Sequence, residues 1–523
     1  MANPQLFQSS RGPAVAPTTT VNRAGGKAYE LGPKAALAQY ACTGCFGAVY
    51  YASAEEQFDE VLKLAAQCEP AFIGQCAVYA RKRGLMKDMP AFLLAHLASR
   101  KDAESMTALR GAWPQVIDNG KMLRNFVQIV RSGVTGRKSF GSAVKRLIRG
   151  WLEQRYADGL FRDNVGEKPS IADVIKMVHP KPADDARRAL YGYLLGKEHK
   201  AEHLSETVQA YERYKADKTG EVPDVPFQML DSLGLGKAEW TAIARRAQWQ
   251  MTRMNLNTFK RHGVLDDPKM VKLLAARLRD PEQVTKARAF PYQLMMAYTA
   301  ATDIPHELTE ALQDAMDHAV ANVPDFGVSV VVCPDVSGSM SSTHVTGARK
   351  GSTTKVRCID VAALISAAVL RKNKRARVLP FEAEVVPMRI NPRDSVMTIS
   401  AQIAAIGGGG TNCSAPLALL NKEAAHADLV IYVSDNESWV DSGSAYYNRG
   451  TGLAHEWSAF KARNPRAKLV CVDLSPNATA QATNSVDRLN VGGFSDAVFD
   501  VIASFVAGGS ADHWVDVIEK AVQ

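Results

Sequence analysis

Apolar residues recur at three- and four-residue spacing through most of the first 320 residues, a spacing typical of amphipathic helices. Clear examples are EEQFDEVLKLAAQ (55–67), KMLRNFVQIVRSG (121–133), AVKRLIRGWLEQR (143–155) and HELTEALQDAMDHAVANV (306–323). Many short helices, with no strand signal between about 28 and 322, predict stacked helix pairs. We expect degenerate, HEAT-like repeats, because the segments share no strict sequence period.

The pattern changes at about residue 325, where continuous β-branched runs begin to alternate with helical segments. The runs VSVVVCPDVSGSM (328–340), DLVIYVSDN (428–436) and AKLVCVDL (467–474) predict buried parallel strands. Helices are predicted over 356–372, about 415–426, 453–464 and 494–508, and a strand or hairpin over 376–386. This alternation predicts a doubly wound, Rossmann-like α/β domain with ligand loops at the carboxyl ends of its strands.

The predicted fold class is therefore multidomain, an α-helical repeat domain joined to an α/β domain. We expect a disordered N-terminus over 1–26, a helical-repeat domain over 27–323, an α/β domain over 324–510 and a C-terminal helix or tail over 511–523. The polar N-terminus lacks the apolar core of a signal peptide, and no apolar run reaches the roughly 18–20 residues of a membrane span. The expected location is the cytoplasm.

Positive charge is concentrated in the helical part of the chain. The net charge is +9, and residues 326–523 carry 19 lysines and arginines against 18 carboxylates. Residues 1–325 therefore hold eight of the nine net positive charges. A basic excess confined to one domain suggests a polyanionic partner, although a merely basic globular domain gives the same count.

The eight cysteines do not form a disulfide framework. Cys42 and Cys45 form a C-x-x-C pair, but the next cysteines, Cys68 and Cys76, are not at zinc-ribbon spacing. Convergence of these four thiolates on a zinc ion remains an alternative. Buried structural cysteines in a reducing compartment are the expectation.

Three separated segments predict one metal site. Asp335, Ser337 and Ser339 follow the first buried strand, Thr411 ends a four-glycine loop, and Asp435 follows the strand LVIYVS. The carboxyl ends of parallel strands share one edge of a sheet, so these side chains are expected to converge. Hydroxyl oxygens with few carboxylates suit Mg²⁺ better than Zn²⁺. The alternative is a set of helix-capping side chains.

Other site chemistries are disfavoured by the same residues. The loop GGGGTNCS (407–414) lacks the G-K-[ST] of a phosphate-binding P-loop. Ser337 and Ser339 have no nearby His–Asp pair, and His344 lies in a polar loop. No constellation of catalytic residues is apparent, so we expect a protein that is not an enzyme.

The whole chain from about 21 to 508 resembles the TROVE-domain proteins, the Ro ribonucleoprotein family with its bacterial members. The segments that carry the resemblance are NRAGGKAYEL (22–31), KSFGSAVKRLIRGWLEQR (138–155), IKMVHPKP (175–182), MTRMNLNTFKRHGV (251–264), ARAFPYQLMMAYTA (288–301), DVSGSM (335–340), GGTNCSAPL (409–417), YVSDNES (432–438) and GGFSDAVFDVI (492–502). The metal segments resemble the metal-ion-dependent adhesion site of von Willebrand A domains. In that site an open metal position receives an acidic ligand.

The resemblance implies a closed ring of HEAT-like helices whose ends are joined by the A domain. Family members bind small non-coding Y RNAs on a basic outer face and take the single-stranded ends of misfolded RNAs into the central hole. Bacterial members work with exoribonucleases, notably polynucleotide phosphorylase. The implied protein is a monomeric RNA-binding scaffold for RNA quality control or decay.

Basic side chains in three regions are the candidate RNA ligands, because lysine and arginine neutralise phosphates. They are Arg137, Lys138, Lys145, Arg146 and Arg149 in or before helix 143–155, then Arg162, Lys168, Lys176, His179 and Lys181, and finally Arg245, Arg246, Arg253, Lys260, Arg261 and His262. Trp249 and Phe259 are interleaved with the last group and are candidates for base stacking or for the core. The family pattern supports His179 and Arg162, and departs near Gly166, where Lys168 is the substitute.

Two further hypotheses stay open. In one, the chain is a protein-interaction module whose Mg²⁺ site binds an acidic partner while the helical domain is only a scaffold. In the other, the polar loop 341–355 screens the metal site or contacts RNA. A metal-dependent nuclease needs more carboxylates around the ion than this pattern supplies.

Overall fold

The computed structural model describes residues 15–44, 46–166, 168–287, 291–301, 303–320, 323–345, 356–443 and 449–521. Two short strands, β1 (Thr20–Val21) and β2 (Lys27–Glu30), precede the helices. No described helix is both long and apolar enough to cross a membrane.

The helical domain consists of short helices in close succession. They are α1 (Pro33–Thr43), α2 (Ala54–Gln67), α3 (Pro70–Lys82), α4 (Asp88–Ser99), α5 (Ala103–Val116), α6 (Gly120–Ser132), α7 (Gly141–Gln154), α8 (Ala157–Asp163), α9 (Ile171–Val178), α10 (Asp185–Leu194), α11 (Glu206–Asp217), α12 (Lys237–Arg246), α13 (Trp249–Met254), α14 (Leu256–Arg261), α15 (Pro268–Arg279), α16 (Pro281–Ala287), α17 (Pro291–Ala300) and α18 (His306–Ala319). Short 3-10 turns span Ala201–His203, Phe227–Met229, Asp231–Leu233 and Val264–Asp266.

Several helices begin and end at local signals in the sequence. In α6, for example, the Asn119 side chain accepts a hydrogen bond from the Met122 amide at 3.0 Å and caps the N-terminus. Gly133, at φ 83°, ends the helix in the left-handed conformation that glycine adopts without strain. Between these caps Phe126 and Val127 are buried, and such apolar faces pack α3 against α4 and α5, and α4 against α6. Packing between neighbours along the chain is the arrangement expected of helical repeats.

The second domain is built on a five-stranded parallel sheet. Its elements are β3 (Val330–Pro334), α19 (Gly338–Ser342), α20 (Cys358–Lys372), β4 (Arg377–Val378), α21 (Val396–Ala404), α22 (Ala415–Lys422), β5 (Leu429–Ser434), α23 (Gly452–Arg463), β6 (Lys468–Asp473), β7 (Thr479–Ala480), β8 (Arg488–Gly492), α24 (Ala497–Val506) and α25 (His513–Glu519). The strand order is β4-β3-β5-β6-β8, and all neighbouring pairs are parallel.

Helices cover both faces of this sheet, as the alternating sequence pattern predicts. One face packs on α20 and α24, and the other carries a separate apolar cluster that includes Leu417, Trp457 and Phe460 of α22 and α23. Because β3 and β5 are buried along their whole length, their residues are apolar on both faces. The sequence-based prediction of a Rossmann-like domain is confirmed.

The α/β domain contacts both ends of the helical domain and closes it into a ring. At the beginning of the ring, α1 packs against β8, and both α1 and α3 pack against α25. At its end, α17 packs against α20 and α18 against α21. A small antiparallel sheet, β1-β2-β7, also joins the two domains, with Tyr29 opposite Ala480.

Two expectations about the beginning of the chain are wrong. Residues 15–26 are not disordered, because they contain β1 and a turn at Asn22–Gly26 that packs on the α/β domain. The helical part also contains a strand, since β2 finds its partner β7 about 450 residues away. Residues 1–14 lie outside the described part of the chain.

Candidate metal centre and nucleic-acid surface

The first metal loop leaves the carboxyl end of β3 in the centre of the sheet. Asp335 is fully buried, and its Oδ1 accepts a hydrogen bond from the Ser337 amide at 2.9 Å. Its Oδ2 accepts a second one from the Ser434 hydroxyl at 2.6 Å. The Ser337 and Ser339 hydroxyl oxygens lie 3.3 Å apart, so both side chains of the D-x-S-x-S motif point to one place.

The glycine loop brings Thr411 to the same edge of the sheet. Gly338 donates its amide to the Gly409 carbonyl and Gly408 donates to the Val336 carbonyl, each at 3.1 Å, so the two loops are joined through their backbones. Gly409 has φ 70°, and a Cβ there would overlap the Glu382 carboxylate. Only glycine allows this close approach, which places the buried Thr411 beside the first loop.

Asp435 follows β5, the neighbour of β3, and completes the predicted set. It is buried, and its backbone carbonyl accepts a hydrogen bond from the Asn477 side chain at 2.8 Å. Burial and the charge of Asp435 raise the pKa of Asp335, and burial raises the pKa of Asp435 itself. Among the described residues no lysine, arginine or histidine forms an ion pair with either carboxylate. Two adjacent buried carboxylates without a cationic partner are suited to a bound cation.

The donor set fits Mg²⁺ better than a transition metal. Its oxygen donors are two carboxylates and three hydroxyls, from Asp335, Ser337, Ser339, Thr411 and Asp435. Within the described ranges no group of three or more His, Cys, Asp or Glu side chains is placed to hold a metal. A metal here therefore depends on the serine and threonine oxygens.

Residues of the helical domain also reach this centre, and sequence reasoning missed them. Tyr51, between α1 and α2, lies near Ser339 and Asp435. Burial and the charge of Asp435 raise the pKa of Tyr51 to about 12, so this phenol stays protonated. No local pattern marks Tyr51, because its partners are almost 300 residues away.

The turn Asn22–Lys27 binds the loop that follows Asp435. The Ala24 amide donates to Glu437 Oε2 at 3.2 Å, and the Lys27 amide donates to the Ser442 hydroxyl at 3.1 Å. Burial, followed by the charge of Asp435, raises the pKa of Glu437 to about 7. The motif NRAGGK (22–27) thus supports the loop that follows Asp435.

Basic residues on and beside α7 and α9, two helices that pack together, define one basic surface. The Arg149 Nε donates to the Val178 carbonyl at 2.6 Å, which places this guanidinium beside His179 at the end of α9. The exposed members of this basic surface are Lys138, Arg146, Arg149, Lys176, His179 and Lys181. Lys145 also belongs to it and is half-buried. His179 adopts φ 50°, so the chain turns sharply there.

Three basic residues of the segment 137–181 have other surroundings. The Arg137 guanidinium donates to the carbonyls of Ala98, Ser139 and Phe140, so it holds backbone together. Arg162 on α8 pairs with Asp224 at 3.0 Å, and Lys168 is exposed before α9. Their contacts with RNA stay predictions.

The tract 245–262 does not present its residues on one face. Arg253 is buried and donates to the Gln293 carbonyl at 2.7 Å, and burial lowers its pKa to about 10. The expectation that Arg253 contacts RNA is therefore wrong. Trp249 and Phe259 belong to the core, which leaves no surface there for base stacking.

The other cations of this tract remain at or near the surface. Arg245 and Arg261 are exposed. Arg246 donates to the Val222 carbonyl at 2.6 Å, Lys260 lies 3.6 Å from the Asp303 carboxylate, and the His262 ring stacks on Trp240 at 4.6 Å. Each of these three already has protein contacts, so the tract is a weaker RNA candidate than α7 and α9.

The remaining sequence predictions concern the cysteines and the loop 341–355. Cys42, Cys68 and Cys76 are buried and form no disulfide. Burial raises the pKa of Cys42 to about 12 and that of Cys68 to about 11. These shifts favour neutral thiols over metal-binding thiolates. Cys45 lies outside the described residues, so the zinc alternative stays a prediction.

Residues 346–355 also lie outside the described residues, so the hypothesis about the loop 341–355 stays a prediction.

Comparison with known proteins agrees with this architecture. A family model for the Ro60 vWA domain matches residues 329–506. The RNA-binding protein RO60 of Deinococcus radiodurans is 25% identical over 522 residues, covering 93% of this chain and 95% of that protein. The RNA-binding protein RO60 of Caenorhabditis elegans is 23% identical over 440 residues, covering 78% of this chain and 64% of that protein.

A solved structure extends the likeness to the fold. The crystal structure of the Deinococcus radiodurans RO (RSR) protein matches with a TM-score of 0.61 at 20% sequence identity, covering 91% of this chain and 99% of that chain. The match therefore includes the helical ring as well as the α/β domain. Residues 329–506 are thus similar to the Ro60 vWA domain, and the chain as a whole is similar in sequence to proteins named RNA-binding protein RO60 and in fold to a solved RO protein.

Proposed function

We propose that the protein binds RNA through the basic surface of α7 and α9. The observation that carries this proposal is the placement of exposed cations from two helices on one surface, joined by the hydrogen bond from Arg149 to the Val178 carbonyl. Such a surface can contact several phosphates at once, with arginine forming paired hydrogen bonds. The relatives named RNA-binding protein RO60 support the same ligand class.

The finer proposal concerns the kind of RNA and its fate. We infer that the ligands are small non-coding, Y-like RNAs and the 3′ ends of misfolded RNAs. The protein then acts as a cytoplasmic, monomeric scaffold for RNA quality control or decay, and an exoribonuclease such as polynucleotide phosphorylase supplies the catalysis. The family resemblance and the closed ring of helices support this reading.

Salt dependence tests the RNA proposal directly. Phosphate contacts release counterions, so log Kobs should fall linearly with log salt, with a slope of about −0.7 to −0.9 per contact. Fluorescence anisotropy with a labelled structured RNA measures this slope, and crosslinking with sequencing identifies the RNA that copurifies. A flat salt profile, or purified protein that binds no transcript at low ionic strength, would contradict the proposal.

A second candidate function is favoured by the buried carboxylates of the metal centre. We propose that Asp335, Ser337, Ser339, Thr411 and Asp435 hold Mg²⁺, and that the centre binds an acidic side chain of a partner protein. Bound Mg²⁺ would supply a coordination position for that carboxylate. A cation held there would offset the repulsion between the Asp335 and Asp435 carboxylates, which supports the proposal.

The two functions are separable by mutation. Asp335→Ala should abolish capture of an acidic partner and leave the salt-dependent binding of RNA intact. Charge reversal of Lys145 and Arg149 should have the opposite effect. If Asp335→Ala and the charge reversal both leave partner capture and RNA binding unchanged, neither assignment holds.

A further inference from the structure

Tyr156, at the junction of α7 and α8, is an unusually exposed aromatic side chain. It retains 59% of its accessible surface, whereas Trp249 and Phe259, the aromatic residues of the tract 245–262, retain 3% and 0%. The other large exposed aromatics of the described residues are Tyr50 and Trp439. Tyr50 lies between α1 and α2, and Trp439 lies in the metal-site loop. Tyr156 alone adjoins the basic surface of α7 and α9.

The ring of Tyr156 is held by its neighbours despite its exposure. The Arg155 guanidinium lies 5.1 Å from the centre of the Tyr156 ring and 5.8 Å from that of the Trp151 ring, so it is placed between the two. Asp163 fixes this guanidinium with a 2.9 Å salt bridge. Trp151 is fixed in turn, because its Nε1 donates to the Ile117 carbonyl at 2.7 Å.

A glycine in α8 makes room for the ring beside the Arg155 side chain. A Cβ at Gly159 in α8 would lie 2.8 Å from the Cε1 and Cζ atoms of Tyr156. The aromatic ring therefore rests against bare helix backbone. An exposed ring with so little freedom loses little conformational entropy when it packs against a ligand.

The charges around Tyr156 favour a nucleic-acid ligand over a protein or a lipid. Tyr156 follows the end of α7, and Arg149 lies seven residues before Tyr156, a distance of about two helical turns. Lys145 lies one turn before Arg149 on the same helix. Arg162 follows on α8 but is paired with Asp224 at 3.0 Å, so Arg149 and Lys145 are the cations near the ring along the chain. Arg155 is paired with Asp163, so its role is to support the ring.

We propose that Tyr156 is a stacking platform for an unpaired RNA base, next to the cations that hold the adjoining phosphates. This inference rests on the proposed RNA-binding function and adds to it a contact with single-stranded RNA outside the residues assigned from the sequence. Stacking on an aromatic ring is tolerant of base identity, because every base presents a π-face. The platform is therefore expected to accept a single strand without strict sequence preference.

The test compares two labelled probes with the same number of phosphates. One is a single-stranded decaadenylate, and the other is a ten-residue abasic strand. Tyr156→Ala should weaken binding of decaadenylate about tenfold, as expected for the loss of one stacked base, and leave binding of the abasic strand unchanged. Tyr156→Phe, which keeps the ring, should bind both probes like the wild type.

Two further variants separate stacking from a general loss of structure. Gly159→Ala keeps the tyrosine but displaces its ring, and should weaken only the binding of decaadenylate. Tyr50→Ala removes an equally exposed ring elsewhere and should bind both probes like the wild type. Thermal melting of each variant checks that the fold is intact.

The outcomes distinguish this inference from the function on which it rests. If Tyr156→Ala binds decaadenylate like the wild type while charge reversal of Lys145 and Arg149 abolishes binding, stacking is wrong and the proposed function stands. If Tyr156→Ala weakens both probes equally, stacking is also wrong, because the abasic strand has no base to lose. If the wild type binds neither probe, stacking is wrong, and the salt-dependent binding of a structured RNA then decides the proposed function separately.

Discussion

Asn22 donates a hydrogen bond from its Nδ2 to the Ser438 carbonyl at 2.7 Å, although 416 residues separate the two in the sequence. Ser438 in turn accepts the Cys413 amide at 2.9 Å and lies beside Thr411, so the contact reaches the metal-site loops. The N-terminal segment is thus a part of the metal centre's support.

Gly26 packs directly on the Ser438 carbonyl, and a Cβ at Gly26 would lie 1.8 Å from that oxygen. Gly26→Ala should therefore lower the free energy of unfolding by about 1–3 kcal/mol, the usual cost of overpacking. It should also expose the N-terminal segment to proteolysis. Thermal unfolding and limited trypsin digestion measure the two effects. Gly32→Ala is the matched control, because a Cβ there meets nothing within 4 Å.

Most of the α/β domain, and the meeting of its candidate site residues at one edge of the sheet, can be predicted from the sequence. Each of β3, β5 and β6 is a continuous apolar run, and parallel strands bring their carboxyl ends to one edge, so Asp335 and Asp435 were predicted to converge. The strand β8 was missed, because Arg488 and Asn490 interrupt its apolar pattern.

The features that the sequence pattern did not predict depend on contacts between distant parts of the chain. The strand β2 exists because β7 pairs with it, and Tyr51 reaches Ser339 only when the ring is closed. Arg253 lies in a basic tract like its neighbours, yet the packing of α17 buries it. No local periodicity contains this information.

Removal of Asp335, a proposed metal ligand, should abolish the response of the protein to Mg²⁺. At a Mg²⁺ concentration of about 100 times the dissociation constant, the wild type should gain about 2.7 kcal/mol of stability, whereas Asp335→Asn should gain nothing. Thermal unfolding with and without Mg²⁺ measures the gain. Asp487→Asn, at the opposite end of the sheet, should respond to Mg²⁺ like the wild type. An Asp335→Asn protein that keeps the full response would remove Asp335 from the site.

Charge reversal on α7 should reduce both RNA affinity and its dependence on salt. Lys145→Glu with Arg149→Glu removes two phosphate contacts, so the slope of log Kobs against log salt should become shallower by about 1.4–1.8. Anisotropy titrations at several salt concentrations measure the slope. Lys374→Glu with Arg375→Glu makes the same change in net charge on the α/β domain and should leave the slope unaltered. Equal effects of the two pairs would point to net charge alone.

His179 offers a test in which stability and function move in opposite directions. Its φ of 50° costs a non-glycine residue roughly 1 kcal/mol, so His179→Gly should raise the free energy of unfolding by up to about 1 kcal/mol. If the imidazole contacts RNA, the same variant should bind RNA about fivefold more weakly, which corresponds to roughly 1 kcal/mol. Denaturant unfolding and anisotropy are the measurements. Unchanged RNA affinity would limit His179 to a structural role.

Arg253 is expected to contribute to stability and not to RNA binding. Arg253→Ala leaves the Gln293 carbonyl without its charged donor, and should cost about 2 kcal/mol of stability. Arg245→Ala, on the exposed side of the same tract, should change stability by less than about 0.5 kcal/mol. Denaturant unfolding compares the two. An Arg253→Ala protein as stable as the wild type would contradict the structural role.

The pairing of β2 with β7 has a consequence for engineering. A functional A domain is discontinuous in the gene, because residues 15–31 complete its surface while residues 324–521 supply its sheet. An A domain grafted from a relative would need to bring its own N-terminal stretch with it. A helical fragment cut at residue 323 would keep that stretch but lose the edge it pairs with, and would be left prone to aggregate through the open strand.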